Sequence, residues 1–184
     1  MATFDESWWE YFVPECYFDT VLVKKLLECD KRLYHRKGCN NVVNELKNKR
    51  LKDFFAVAVI DKDKKELDYL KECSIIYDNN KLLLHKHKSK SHFIIQLNPP
   101  LEKWVIDILD ENGLKIEDFG YSKDYKGFKK EIKSDIDSEN DKRLKKLVNA
   151  IITTNCQSVR VLKHFLLYLK EKNYQVDINE LING

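Results

Sequence analysis

The segment Phe54–Ile60, FFAVAVI, is apolar at every position and runs straight into Asp61-Lys62-Asp63. A half-exposed strand alternates apolar with polar; a short unbroken run suits a strand whose sheet is covered on both faces. That requirement favours helices above and below a sheet. It also leaves two carboxylates at the carboxyl end of a buried strand, at the edge of a core.

The flanking segments fit such a sheet. Residues 9–14 (WEYFVP) read as a strand stopped by Pro14. Residues 18–29 read as a helix, with Val21, Leu22, Leu26 and Leu27 at helical spacing. RLYHR (32–36) reads as a short strand ended by Gly38, and Asn40 or Asn41 can cap a helix running to about Lys49. Residues 64–73 read as helix and 74–77 (SIIY) as a fourth strand. The order β-α-β-α-β-α-β predicts a parallel, right-handed, helix-covered α/β sheet. Functional residues of such sheets gather at the carboxyl ends of the strands. Asp61 and Asp63 lie at one such end and Glu15 at another. If the first and third strands are neighbours, three carboxylates meet.

The rest departs from simple alternation. KLLLHKH (81–87) and HFIIQL (92–97) read as a β-hairpin extension, 79–98, joined by a basic loop. Asn98-Pro99-Pro100 precedes a helix over 101–111, and residues 120–140 read as loop with broken helix. Residues 141–153 and 158–172 are amphipathic and read as an antiparallel helical pair on the core. The expected organisation is an α/β domain over 1–112 and a helical C-terminal subdomain over 113–184.

Composition narrows the class. Of 184 residues 43% are hydrophobic and 34% charged, a globular balance that argues against disorder. The five cysteines are odd in number and lack Cys-x-x-Cys spacing, which argues against a disulfide framework or zinc ribbon and for a reducing cytoplasm. The start, MATFDESWWEYF, lacks the basic-then-apolar pattern of a signal peptide. No apolar stretch approaches the ~20 residues needed to span a bilayer. A cytoplasmic protein with no membrane partner is expected. A net charge of +3 does not by itself imply a nucleic-acid partner.

Acids converging at a dry strand end repel one another unless a cation sits among them. Oxygen-only ligands select Mg²⁺ or Mn²⁺, and Mg²⁺ tends to complete its shell with water and substrate phosphate. Such an ion suits phosphodiester cleavage or transfer. The same residues also read more plainly: Asp-x-Asp after a strand serves a turn and a helix N-cap, and Glu15 serves as an exposed loop acid.

At these residues the chain resembles the Toprim family. Glu15-Cys16-Tyr17-Phe18-Asp19 leading into a helix looks like the opening Toprim motif, where Gly usually follows the Glu. His35 to Gly38 before a helix is similar to the second segment, and Val59-Ile60-Asp61-Lys62-Asp63-Lys64 matches the Asp-x-Asp signature. The resemblance covers about residues 9–78. It implies a Toprim-like fold and a metal-dependent nuclease acting on DNA or RNA, alone or with a separate ATPase subunit. A degenerate module that binds nucleic acid or an ATPase without catalysis is the alternative. Carried over, Glu15 is the general acid/base or a metal ligand, Asp61 and Asp63 hold Mg²⁺, and Asp19 ties the loop or serves a second metal. Cys16 in place of Gly restricts the backbone there.

Other residues have two readings each. His85-Lys86-His87-Lys88-Ser89-Lys90-Ser91-His92 reads as a solvated hairpin loop, or as a backbone-binding element in which Lys86, Lys88, Lys90, His85 and His87 meet phosphate beside the acids. Glu102 extends the acidic site or places favourable charge in a helix's first turn. Lys142, Arg143, Lys145 and Lys146 form a helix's solvated face or a strip for a nucleic-acid backbone.

Overall fold

The computed structural model describes residues 7–62, 66–132 and 140–184. Its sheet has five strands: β1 (Phe12–Pro14), β2 (Ala56–Asp61), β3 (Cys73–Asp78), β4 (Leu82–His87) and β5 (His92–Leu97). Their spatial order is β1-β2-β5-β4-β3. β1 and β5 flank β2, both parallel to it, with Val13 opposite Ala58 and Asp61 opposite Leu97. β4 and β3 complete the sheet antiparallel.

The unbroken apolar run of β2 is explained by its alternation between two cores. Val57 and Val59 join the larger one, with Phe93 and Ile95 of β5. Ala56, Ala58 and Ile60 point the other way, onto Val42 and Leu46 of α2 (Cys39–Asn48) and onto Tyr69 and Leu70. A period-2 element with helices on both sides has no solvent face. In the larger core, α1 (Tyr17–Leu26) lies between the sheet and two C-terminal helices, α5 (Lys142–Thr153) and α6 (Gln157–Lys172). This is why Val21, Leu22, Val23 and Leu26 are all buried: α1 is covered from two directions. α3 (Leu101–Glu111) contributes Trp104, Val105 and Ile108 to the same core, α4 spans Tyr125–Ile132, and α7 spans Ile178–Asn183.

The fold is therefore α/β, but the sheet is mixed rather than wholly parallel. RLYHR is not a strand: of its five residues only Leu33 is buried, and Arg36 N–H bonds Pro14 O (3.1 Å) without starting a ladder. One anchor among flanking charges is too little to hold a strand in register. Where a helix over 64–73 is expected, residues 68–72 form a 3₁₀ turn, residues 63–65 lie outside the described residues, and Cys73 already begins β3. The expected hairpin extension is the middle of the sheet. Every residue of β5 is buried, and β5 separates β2 from β4. Helices α5 and α6 each pack on α1, and the same hydrophobic cluster runs from Phe12 to Leu181. Among the described residues no helix is long and apolar enough to cross a membrane.

Candidate functional site

β1 and β2 end side by side, and their adjacency brings Glu15 to Asp61. Glu15 N–H continues the ladder onto Val59 O (3.0 Å). Its side chain then turns back across β2, where Oε2 accepts the Asp61 N–H (2.9 Å) and the Cys39 thiol (2.8 Å). The 46-residue separation of these two acids is closed by a parallel pairing, as their positions at strand ends imply. Asp61 is 8% exposed, and its Oδ1 accepts the Leu101 N–H (2.8 Å) at the start of α3. Pro100, the residue before that helix, has no side chain to cap it, so Asp61 supplies the cap from across the sheet edge.

Glu102, in the first turn of α3, is 1% exposed and lines the same cavity as Glu15 and Asp61. The cavity holds about 180 Å³, with Tyr17, His35 and Lys37 on its walls. The His35 and Tyr17 rings lie 4.3 Å apart, centre to centre. Three helices start at its rim: α1 after Cys16, α2 after Gly38 and α3 after Pro100. Helix N-termini carry partial positive charge, which favours carboxylates or phosphate there. Gly38 enters α2 at φ 89°, a left-handed conformation open to glycine, so the approach of α2 depends on that residue. A larger cavity, about 440 Å³ between α1 and α5, is lined by Lys24, Lys25 and Lys145 with a single acid, Glu28, among its described lining residues.

Asp19 lies behind this cavity. Its Oδ2 accepts the Cys16 N–H (3.1 Å), while Asp19 N–H meets Cys16 Sγ (3.4 Å), a reciprocal cap that ties the loop to α1. Oδ1 of Asp19 is buried and accepts no hydrogen bond among the described residues. Burial first, then the charges of Asp61 and Glu15, hold its carboxyl well above the ordinary range. Burial also pushes the Cys16 thiol up, with Asp19 adding to it, so Cys16 is kept as a thiol and not as a nucleophile.

The donor chemistry of Glu15, Asp61 and Glu102 is hard oxygen throughout, which fits Mg²⁺ or Mn²⁺, and the raised Asp19 carboxyl beside Asp61 and Glu15 shows that the region disfavours further negative charge. Among the described residues no three His, Cys, Asp or Glu side chains are grouped to share an ion. Asp63, expected to be a metal ligand, lies outside the described residues.

The basic segment is elsewhere. The β4–β5 turn precedes His92, which pairs with Ala56 at the amino end of β2, so Lys88 and Lys90 stand at the edge opposite Glu15 and Asp61. His85 and His87 are not on a loop. They are 5% and 4% exposed within β4. His85 Nε2 meets Gln96 Oε1 (2.7 Å), and His87 Nδ1 accepts the Ser89 and Lys90 N–H groups. Strand alternation points both into one layer, as an extended segment requires, but that layer is core. Lys86 is half-buried, with its ammonium bonded to the carbonyls of His87 and Lys90.

Sequence reasoning missed Cys39 and Lys37. Both flank Gly38, and a glycine opening a helix at the carboxyl edge of a sheet was the available signal. No protein-family model, curated protein or solved structure matches the chain.

Proposed function

We propose that the cavity at the ends of β1 and β2 is a divalent-cation site serving phosphodiester chemistry on DNA or RNA, the reading that the Toprim resemblance implies. The observation that carries it is the joining of Glu15 and Asp61 at adjacent parallel strand ends, with Glu102 lining the same cavity. Asp61, Glu102 and Glu15 would hold Mg²⁺ or Mn²⁺, with Asp63 as the further acid that the Asp-x-Asp pattern supplies. A bound ion supplies charge that polarises a phosphoryl oxygen. The chain's own residues do the rest. Cys39 and the Asp61 N–H fix one oxygen of Glu15, leaving Oε1 outside those bonds as a proton acceptor. Lys37 and the three helix N-termini offer positive charge to a phosphate, and His35 lines the same wall.

Thermal melting with Mn²⁺ or Mg²⁺ tests the site. Saturation at 100 times Kd stabilises the native state by about 2.7 kcal/mol, a rise of several degrees. Asp61→Asn should abolish the rise. Equal shifts in both proteins place the ion elsewhere. Cleavage of plasmid DNA or structured RNA should fall by roughly 100-fold or more in Glu15→Ala.

A second reading has an observation of its own. Asp61 Oδ1 is already committed to capping α3, and Glu15 Oε2 to Cys39 and the Asp61 amide, so both acids have structural work. On that reading the cavity belongs to a module that binds nucleic acid or a separate ATPase chain without catalysis. A metal shift without cleavage, even with such a partner supplied, selects it.

A further inference from the structure

The amino-terminal edge of the sheet, opposite the acid cavity, is basic and carries exposed rings. It is built from the last turn of α2 with residues 49–54, the turn 68–72, and the β4–β5 turn. These pieces are tied together by lysines. Lys90 Nζ donates to Lys52 O (2.8 Å), and Lys88 Nζ donates to Lys71 O (3.2 Å). The acceptors are carbonyls, so the side chains are positioned without their charge being cancelled. Lys47 and Lys71 do pair with Glu72 and Asp68 at the same edge. Lys49 and Lys52 are exposed beside them.

Two rings stand next to this charge. Phe54 is 51% exposed and Tyr174 is 57% exposed. Tyr174 is fixed: its hydroxyl accepts the Phe55 N–H (2.8 Å), and its ring meets that of Phe55 at 5.8 Å, edge to face. Phe54 thus presents about half of its surface to solvent beside the lysines.

We propose that this edge binds single-stranded nucleic acid, the lysines following the phosphates while Phe54 and Tyr174 stack unpaired bases. Charge complementarity selects a polyanion. The exposed ring faces select one whose bases are open, because a duplex keeps its bases stacked inside. The surface lies the length of β2 from the acid cavity, roughly 20 Å. It goes beyond the metal reading and does not depend on it.

Fluorescence anisotropy with labelled oligothymidylate and oligouridylate, in EDTA and across a salt series, tests the surface. Binding is expected at low salt. Substituting Lys52→Gln, Lys88→Gln and Lys90→Gln together should weaken it and flatten the log K against log salt slope by roughly 2. Phe54→Ala should weaken single-strand binding roughly 5- to 100-fold and leave a blunt duplex unaffected. Lys52, Phe54 and Lys88 are exposed and Lys90 is half-buried, and melting curves of the variants check that the fold is retained. The proposal is overturned by no binding at low salt, by an unchanged salt slope in the triple variant, or by equal loss on duplex and single strand. Preferential capture by phosphatidylserine vesicles overturns it too, in favour of a membrane surface. Its failure leaves the metal titration of the cavity standing, so the two readings fall separately.

Discussion

Cys16 stands where the resemblance to the Toprim pattern leads one to expect glycine, yet its backbone sits at φ −135° and ψ 176°, extended and open to any residue. The restriction expected of a side chain there does not arise. Cys16 instead caps α1, so Cys16→Gly should cost a few tenths to about 1 kcal/mol in urea denaturation and leave metal affinity unimproved. Asp19 makes a second residue-scale prediction. Its folded carboxyl titrates higher than in the unfolded chain, so its contribution is fully present below the unfolded value and is lost as pH rises through the folded one. Asp19→Asn keeps an oxygen for the Cys16 amide and removes the buried charge. In EDTA the variant should melt above wild type at pH 8, and the gap should close towards pH 4. At this scale the acids were legible, because a residue just past a buried strand has its place set by the strand. Lys37 and Cys39 were not, because their place follows from how α2 approaches, which no local pattern records.

β5 is the element that sequence reading placed least well. In the sequence HFIIQL reads with its neighbour as an appended hairpin, although it has nearly the unbroken apolar character that marks β2. The difference lies in connectivity: consecutive strands with a short turn do pair, as β4 and β5 do, but nothing local tells which outer edge then meets β2. The neighbouring histidines show what central placement costs. His92 donates through Nε2 to Leu51 O (3.0 Å) while Nδ1 accepts from the Tyr69 hydroxyl (2.6 Å), the arrangement of a neutral ring. Burial lowers its pKa to about 4. The unfolded chain takes up its proton near pH 6.5 and the folded chain only near 4, so stability present above pH 6.5 is lost between those values, by roughly 3 kcal/mol. Urea midpoints measured from pH 7 to 4 should show the loss, and His92→Gln should flatten it. His85 and His87 are lowered by burial as well and add to the slope in the same direction.

Across the whole molecule, an expected boundary near residue 112 meets a hydrophobic cluster that crosses it: Phe93 of β5, Leu147 of α5, Leu166 of α6 and Leu181 of α7 belong together. Far-UV circular dichroism and tryptophan fluorescence should therefore report one coincident unfolding transition. A chain ending at residue 112 uncovers the outer side of α1 and should not fold cooperatively. The two charged regions lie at opposite ends of one strand, acid at the carboxyl end of β2 and base at its amino end, so the small net charge conceals a polarised molecule. The central position of β5 bears also on synthesis. β2 leaves the ribosome with β1 available on one side, but its other neighbour lies more than thirty residues downstream, and until then the Ala56–Ile60 backbone presents an open apolar edge. For that interval the nascent chain is a template for pairing with other chains. Its yield in a cell should depend on how quickly translation delivers residues 92–97.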